Sequence, residues 1–491
     1  MSVKMGRFQE AWEHYTQGLS TAPNEESTVS LLANRALALL RLDRFEEVLS
    51  DCERVLAIEP EHKKVVFRQG KALLALQRHA EAVEALTLAR TLASDSKEVN
   101  EELKRAKVAL AQSAQGKFDF RSMLAEAALK ETLQLQHSAP LSSFTSKLLE
   151  VVDDSAKGRG YMAKQPISKG DLLLMAKPLV FASYRELTRG NHNILVERLL
   201  QVAKSNQGSA CQVQSLCGAR KDDRSIEEAL TLEEACEVLR RNCFASATGV
   251  GLWHAMSFFN HSDAPNAARF CIADWAMVRA KDDISPGTEI TLSYIDFSAD
   301  YSSQVEYLRS LGVVDEALIS RESRWAHAQE PSLLDLKSGA LREQWLTEAG
   351  AEESPLTEQR RYLELLCADK ANLWCWGRYV SWLKEEKVIR KERGESKRAL
   401  GAALAIAHLV HMHIGFSAAL LEAWADCSAL LFELPEQEAN AEHHGEAMET
   451  CVESMQSCIE FAFGEDWADD TDFSTLVLEW ATLRWYHAAA W

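Results

Sequence analysis

Between Gly249 and Asp296 the chain reads GVGLWHAMSFFNHSDAPNAARFCIADWAMVRAKDDISPGTEITLSYID, and no other stretch narrows the choice of fold as much. Phe270 to Ala280 is rich in apolar and aromatic residues. Ser285-Pro286-Gly287 then makes a turn, and Ile290-Thr291-Leu292-Ser293-Tyr294 follows. The pattern predicts strand, turn and strand, with the polar pair Asn260-His261 at its entry. Taken alone, Asn260-His261-Ser262 also fits a capped loop leading into a hairpin.

The Asn-His pair is followed about thirty residues on by Gly287-x-Glu289-Ile290-x-x-x-Tyr294. With both pieces present, the stretch resembles the C-terminal half of SET domains, the S-adenosylmethionine-dependent lysine methyltransferases, and specifically their SET-and-MYND branch. Upstream, Leu148-Leu149-Glu150-Val151-Val152 opens a strand, and Lys157-Gly158-Arg159-Gly160-Tyr161 follows it. Glycines on both sides of Arg159 permit a close backbone approach. By itself that segment is a hairpin turn. Within the resemblance it is the opening β-unit, whose loop contacts the methionine and carboxylate end of the cofactor. The likeness covers Leu148 to Asp296 and a short tail, roughly a third of the chain.

The resemblance implies a protein-lysine N-methyltransferase that takes its methyl group from S-adenosylmethionine. Tyr294 is the catalytic candidate, with its phenol at the methyl-transfer channel and also at the cofactor. Asn260 and His261 are implied to hold the adenine and ribose end. Lys157, Gly158 and Arg159 are implied to take the methionine end, and Asn242 of Arg241-Asn242-Cys243-Phe244 assists. Against these roles, Tyr294 also reads as a strand tyrosine capping the core, and His261 as a satisfied buried turn. Glu289, beside a turn, reads as a structural hydrogen-bonding partner.

Several departures from the family pattern bear on metal and substrate. Asp263 stands where the family has a cysteine after Asn-His-Ser. Cys211, Cys217, Cys236 and Cys243 are too sparse for a zinc-binding MYND module. The family closes its lysine channel with a cysteine-rich zinc tail and an aromatic residue. The corresponding run from Tyr307 to Ala317 holds no cysteine. No metal is expected, and the aromatic wall falls to Phe297, Tyr301, Tyr307 or Trp325.

The first third repeats. Segments opening at Gly6, Asp43 and Gln77 share an Arg at their second position, and they begin 37 and then 34 residues apart. Paired helices at a 34-residue period are the tetratricopeptide (TPR) signature. Ala36, Gly70, Ala82 and Ala89 let helices approach, and Leu39, Leu73 and Leu86 supply apolar ridges. The first segment keeps only a second helix, so either the N-terminus is incomplete or the array begins with an unpaired helix. Such an array binds peptides or acts as a rigid spacer, and both readings stay open. Lys97 to Leu135 continues as a charged amphipathic helical stretch, and Gln136 to Ser143 reads as linker.

From Pro331 the chain reads helical, with ten of its thirteen tryptophans from Trp325 onward. Those tryptophans suit a large helical core with aromatic anchors. Leu400 to Leu421 carries no Asp, Glu, Lys or Arg and is long enough to cross a bilayer. Against a span, His408, His411, His413 and Ser417 interrupt it. A buried helix with its histidines in the core or a groove is expected, and a membrane-attached scaffold is the reading set aside.

At 491 residues the chain suits about three domains. A net charge of -19 repels polyanions and argues against a direct nucleic-acid partner. After Arg398 the only Lys or Arg is Arg484, so the C-terminal region is acidic and suits a basic protein substrate or a solvated helical surface. Eleven scattered cysteines without a Cys-x-x-Cys pair fit a reduced cytoplasmic or nuclear setting.

The expected fold is multidomain α+β. It comprises a TPR array over 1–130, a linker over 131–147 and a mostly-β SET domain over 148–312 with a helical insert near 186–240. An all-helical domain follows over 313–491. The expected partners are a protein substrate with an accessible lysine and a peptide or protein ligand on the repeats, with no membrane. The competing function is an adaptor whose SET fold has lost catalysis and whose repeats bind protein partners.

Overall fold

The computed structural model describes residues 2–22, 24–124, 141–154, 158–188, 193–205, 207–216, 230–246, 248–262, 265–294 and 301–311. In the C-terminal region it describes 383–384, 387–388, 391, 394, 396–413, 418–432, 449–458 and 462. The chain divides into two compact units. One comprises Met1–Asp119 with His137–Thr145, and the other Phe120–Gln136 with Ser146–Trp491.

The first unit is a stack of six helices: α1 (Ser2–Ser20), α2 (Glu25–Arg41), α3 (Phe45–Leu56), α4 (Lys63–Ala75), α5 (His79–Leu92) and α6 (Lys97–Gln115). Each packs on the next, and α2 also meets α4. The predicted repeats are therefore the pairs α2–α3 and α4–α5, preceded by α1, which carries the first of the three predicted segments. The small residues sit where close approach was expected. A side chain at Gly70 would put a Cβ 2.6 Å from the Leu86 Cγ. Ala36, Ala82, Leu39, Leu73 and Leu86 are buried in one core. Asn24 caps α2 by accepting from the Ser27 N–H, and Ser96 caps α6 by accepting from Val99.

The turn inside each pair is the same device used twice. Asp43 and Gln77 both adopt left-handed backbone, with φ of 57° and 61°. The amides of Arg44 and Arg78 then bond the carbonyls of Leu39 and Leu73, and each arginine forks onto a glutamate three residues on, Glu47 or Glu81. Between α2 and α3, Arg35 grips Asp51 through two bonds of 2.8 and 2.6 Å, with Asp51 buried. Strand β1 (Phe144–Thr145) lies against α6, and the Gln112 side-chain oxygen Oε1 accepts from the amides of Leu141 and Ser142.

In the second unit, β2 (Leu149–Asp154) and β3 (Gly158–Ala163) form an antiparallel pair with Asp154 opposite Gly158. In the principal sheet, β4 (Leu172–Ala176) borders β10 (Trp275–Ala280), which pairs β9 (Ala267–Ile272). The run predicted as one apolar strand from Phe270 to Ala280 is thus a tight hairpin, reversed where Ala273 takes φ 51°. In a third group, β7 (Gly249–Leu252) lies between β5 (Val180–Ser183) and β6 (Cys243–Ala245). Gly249 is obligatory there, since a Cβ would sit 2.1 Å from the Ala182 carbonyl oxygen. Leu173, Leu174, Trp253, Met256, Phe259, Ile284 and Ile290 form the common core.

The predicted insert is helical over Tyr184–Thr188, Ile194–Ser205, Gln207–Gln214 and Leu232–Asn242. Thr231 and Glu234 close a capping box at the start of the last of these. Leu199, Val213, Leu216, Ala235 and Val238 pack with Val180 and Leu252, which fastens the insert to the sheet edge.

The uncharged run Leu400 to Leu421 is divided between a helix ending at His413 (Ser396–His413) and a second beginning at Ala418 (Ala418–Phe432), packed on each other. Among the described residues no helix is long and apolar enough to cross a membrane. The side chains of His408, His411 and His413 lie outside the described residues.

Candidate functional site

Residues distant in sequence meet beside β3 because two short segments run parallel. Asn260–His261 is strand β8 and Thr291–Leu292 is β11, with Thr291 opposite Asn260 and Leu292 opposite His261. The predicted long strand over Ile290 to Tyr294 is therefore reduced to two ladder residues. The Asn260-His261 segment, expected as a loop entry, is its partner. Asn266 stitches the arrangement: its amide donates to the Glu289 carbonyl at 2.9 Å and its own carbonyl accepts from the Thr291 N–H at 2.9 Å. The predicted turn at Ser285-Pro286-Gly287 is present, with Gly287 at φ 76° and its amide on the Ala163 carbonyl.

This geometry brings Asn260, His261 and Tyr294 together. The Tyr294 amide donates to His261 Nδ1 at 3.1 Å, so a neutral imidazole carries its proton on Nε2. The two rings lie 5.5 Å apart. The Tyr294 hydroxyl donates to the Phe259 carbonyl in a short hydrogen bond, and its ring meets Phe244 edge-on at 5.6 Å. A phenol held this way has its oxygen fixed in position.

Asn260 turns its amide onto Glu289 Oε1 at 2.7 Å. This contact crosses directly over Gly160, where a Cβ would lie 2.7 Å from Asn260 Nδ2 and 2.9 Å from Glu289 Oε1. The second glycine of the Gly-Arg-Gly segment therefore makes room for protein side chains. Glu289 is the hydrogen-bonding partner that its place beside the turn indicated.

The remaining predicted residues divide. Gly158 opens β3 with φ 82° and nothing near its absent side chain. Arg159 lies under the insert: its guanidinium bonds the Ser215 carbonyl and sits 5.1 Å above the Phe258 ring. Asn242 is buried and donates to the Val238 carbonyl of its own helix, while Phe244 two residues on contacts Tyr294. Lys157 lies outside the described residues, as do Phe297, Trp325 and the Tyr301 side chain. Tyr307 is 43% exposed on the helix Tyr301–Leu311. Besides His261, Phe244 is an aromatic neighbour of Tyr294. Sequence reading reached Phe244 only as part of an Asn-x-Phe element.

Below the site, Tyr161 stacks against Phe259 at 4.7 Å, and burial pushes its hydroxyl up to about 12. His254 meets Phe258 edge-on at 5.1 Å. Its pKa is held below the ordinary imidazole value, first by burial and then by the Arg159 charge. The site therefore pairs a positive, half-buried guanidinium with a polar lining that includes the Glu289 carboxylate bonded to Asn260. It suits a ligand with an anionic end and a polar, hydrogen-bonding body. Among the described residues no cluster of His, Cys, Asp and Glu suits a metal ion.

Residues 158–295 match the family model described as SET domain. The helical repeats are similar to the DnaJ homolog subfamily C member 7 homolog of Schizosaccharomyces pombe, 37% identical over 22% of this chain and 23% of that protein. They are also similar to the Hsp70/Hsp90 co-chaperone CNS1 of Saccharomyces cerevisiae, 37% identical over 18% of this chain and 23% of that protein. The chain thus spans about a quarter of the length of these relatives. Among solved structures, the SET domain of LSMT bound to lysine and AdoHcy is 12% identical, covering 74% of this chain and 93% of that one. Its TM-score of 0.24 is too low to speak for a shared arrangement of the whole chain. The chain carries a SET domain and an N-terminal TPR-like array within a multidomain α+β fold.

Proposed function

We propose that this chain is an S-adenosylmethionine-dependent protein-lysine N-methyltransferase whose repeats help to select the protein it modifies. The observation that carries the reading is the convergence of Asn260, His261 and Tyr294 at the β8–β11 ladder, inside the segment that matches the SET model. The bound cofactor supplies an electrophilic methyl group on a sulfonium. The chain's own residues position and desolvate. Arg159 and the Gly158 turn take the carboxylate end, with Lys157 and Asn242 assisting, and the β8–β11 ladder with His261 holds the nucleoside end. A guanidinium with no carboxylate partner among the described residues, together with the polar ladder, is what makes the residues fit such a group.

Tyr294 acts at the transfer channel. Its hydroxyl is tied to the Phe259 carbonyl, so the oxygen is oriented before substrate arrives. An acceptor lysine has to reach it neutral and aligned, and alignment with exclusion of water accounts for most of the acceleration. Phe244 walls one side of Tyr294. The TPR-like array receives a peptide or protein ligand, in keeping with relatives named as Hsp70/Hsp90 co-chaperones.

The test is transfer of labelled methyl to protein from cell lysates by the full chain. Tyr294→Phe is expected to lower the rate at least tenfold while leaving cofactor affinity within about twofold. Equal rates in the two proteins would remove Tyr294 from the mechanism.

One observation favours the adaptor reading. The sequence has no cysteine between Cys271 and Cys367, so the zinc tail that closes the lysine channel in the family is missing. On that reading the chain binds cofactor or partner but transfers nothing, and both proteins in the labelling test are silent.

A further inference from the structure

The contacts around Arg159 tie the proposed cofactor pocket to the helical insert. Ser215 follows the insert helix Gln207–Gln214 and makes two contacts with the SET core. Its carbonyl accepts from the Arg159 guanidinium, and its Oγ lies 2.7 Å from His254 Nε2. The direction of the second bond can be assigned. The Ser215 hydroxyl donates to the Gln212 carbonyl at 2.7 Å, which commits its only proton, so His254 Nε2–H must be the donor to Oγ. His254 also packs edge-on against Phe258, and the face of the same Phe258 carries Arg159.

Arg159 is thus mounted on a carbonyl and an aromatic face, with a hydrogen-bonded imidazole behind. These groups hold its direction without neutralising it. Among the described residues it has no carboxylate partner. A guanidinium carries five N–H donors, and the Ser215 carbonyl engages one nitrogen, which leaves donors for an incoming anion. A charge-assisted bond to a carboxylate is roughly twice as strong as one to a neutral acceptor, so a carboxylate is the ligand group this mount favours.

We propose that Ser215 and His254 are positioning residues that aim Arg159 at the carboxylate of the cofactor, so that the helical insert sets cofactor affinity. The inference rests on the methyltransferase reading above. Its anchor on the insert side is Val213 and Leu216, buried against Leu199, Val238 and Leu252. Loosening the insert therefore moves the Ser215 carbonyl and releases Arg159, while the nucleoside end of the pocket, built from β8 and β11, keeps its own hydrogen bonds.

The test is calorimetric titration of the full chain with two compounds, S-adenosylmethionine and its decarboxylated form, which lacks only the carboxylate. Wild type is expected to prefer the complete cofactor by about tenfold or more, the scale of one charge-assisted bond. His254→Ala and Ser215→Ala are expected to shrink that preference to about two- or threefold while affinity for the decarboxylated compound stays unchanged. His254→Gln, which keeps an N–H donor, is expected to restore part of the preference. Thermal melting checks each variant, and if His254→Ala does not fold, Ser215→Ala carries the comparison.

Variants that keep the wild-type preference, or that lose both compounds equally, overturn the inference. Wild type that binds both compounds alike also overturns it and leaves the methyltransferase reading standing. Wild type that binds neither overturns the reading and the inference together.

Discussion

Gly160 is where a single added methyl group reaches the site. Its Cβ would press on both members of the Asn260–Glu289 bond, and neither partner is a loose side-chain end on open solvent. We expect Gly160→Ala to weaken S-adenosylmethionine binding by about tenfold, one lost buried hydrogen bond, in a chain that still folds. Calorimetry and thermal melting together check it. The Gly-Arg-Gly spelling was legible in the sequence as a close-approach loop. What approaches was not, because Asn260 and Glu289 come from positions about a hundred residues downstream. The Asn-His pair and Tyr294 were readable for the opposite reason: each lies in a compact run whose spacing is characteristic. Ser215, His254 and Phe258 carried no such spacing, and only the fold brings them to Arg159.

The cysteines offer a second check at this scale. Burial pushes the thiols of Cys52 and Cys243 up to about 12, while Cys211 and Cys236 are exposed. A thiol reacts as its thiolate, so raising the pKa suppresses reaction at pH 8. Brief alkylation of the native chain followed by mass spectrometry should label Cys211 and Cys236 well before Cys52 and Cys243. Early labelling of Cys52 would contradict the buried core between α3 and α4.

Among the elements, the repeat turns show what periodicity can and cannot give. The 34-residue spacing located α2 to α5 and their small-residue contacts. It did not announce that Asp43 and Gln77 take left-handed backbone, since neither is the glycine that usually marks it. Gln77→Gly is expected to stabilise the array by about 1 kcal/mol by relieving that conformation, measured by denaturant unfolding. Asp51→Ala is expected to do the reverse. It strands Arg35 between α2 and α3 and costs about 3 kcal/mol, visible as lost amide protection confined to those helices in hydrogen exchange. The strand pattern was less transparent. Phe270 to Ala280 is apolar apart from Asp274 and Arg279 because β9 and β10 are buried, and a buried hairpin leaves little alternation to mark its reversal.

Across the whole molecule, a helical array precedes a SET domain whose insert reaches Arg159 of β3 through the Ser215 carbonyl. Arg279 adds a link within the second unit, donating to the carbonyls of Gly170 and Ala462, and burial lowers its pKa to about 10. The measurement that bears most directly on the proposed function is calorimetric titration of S-adenosylmethionine into the full chain and into a variant carrying Asn260→Ala and His261→Ala. We expect wild-type binding on the order of micromolar and at least a tenfold loss in the variant. A well-folded wild type that takes up no cofactor would contradict the methyltransferase reading and leave the adaptor in its place.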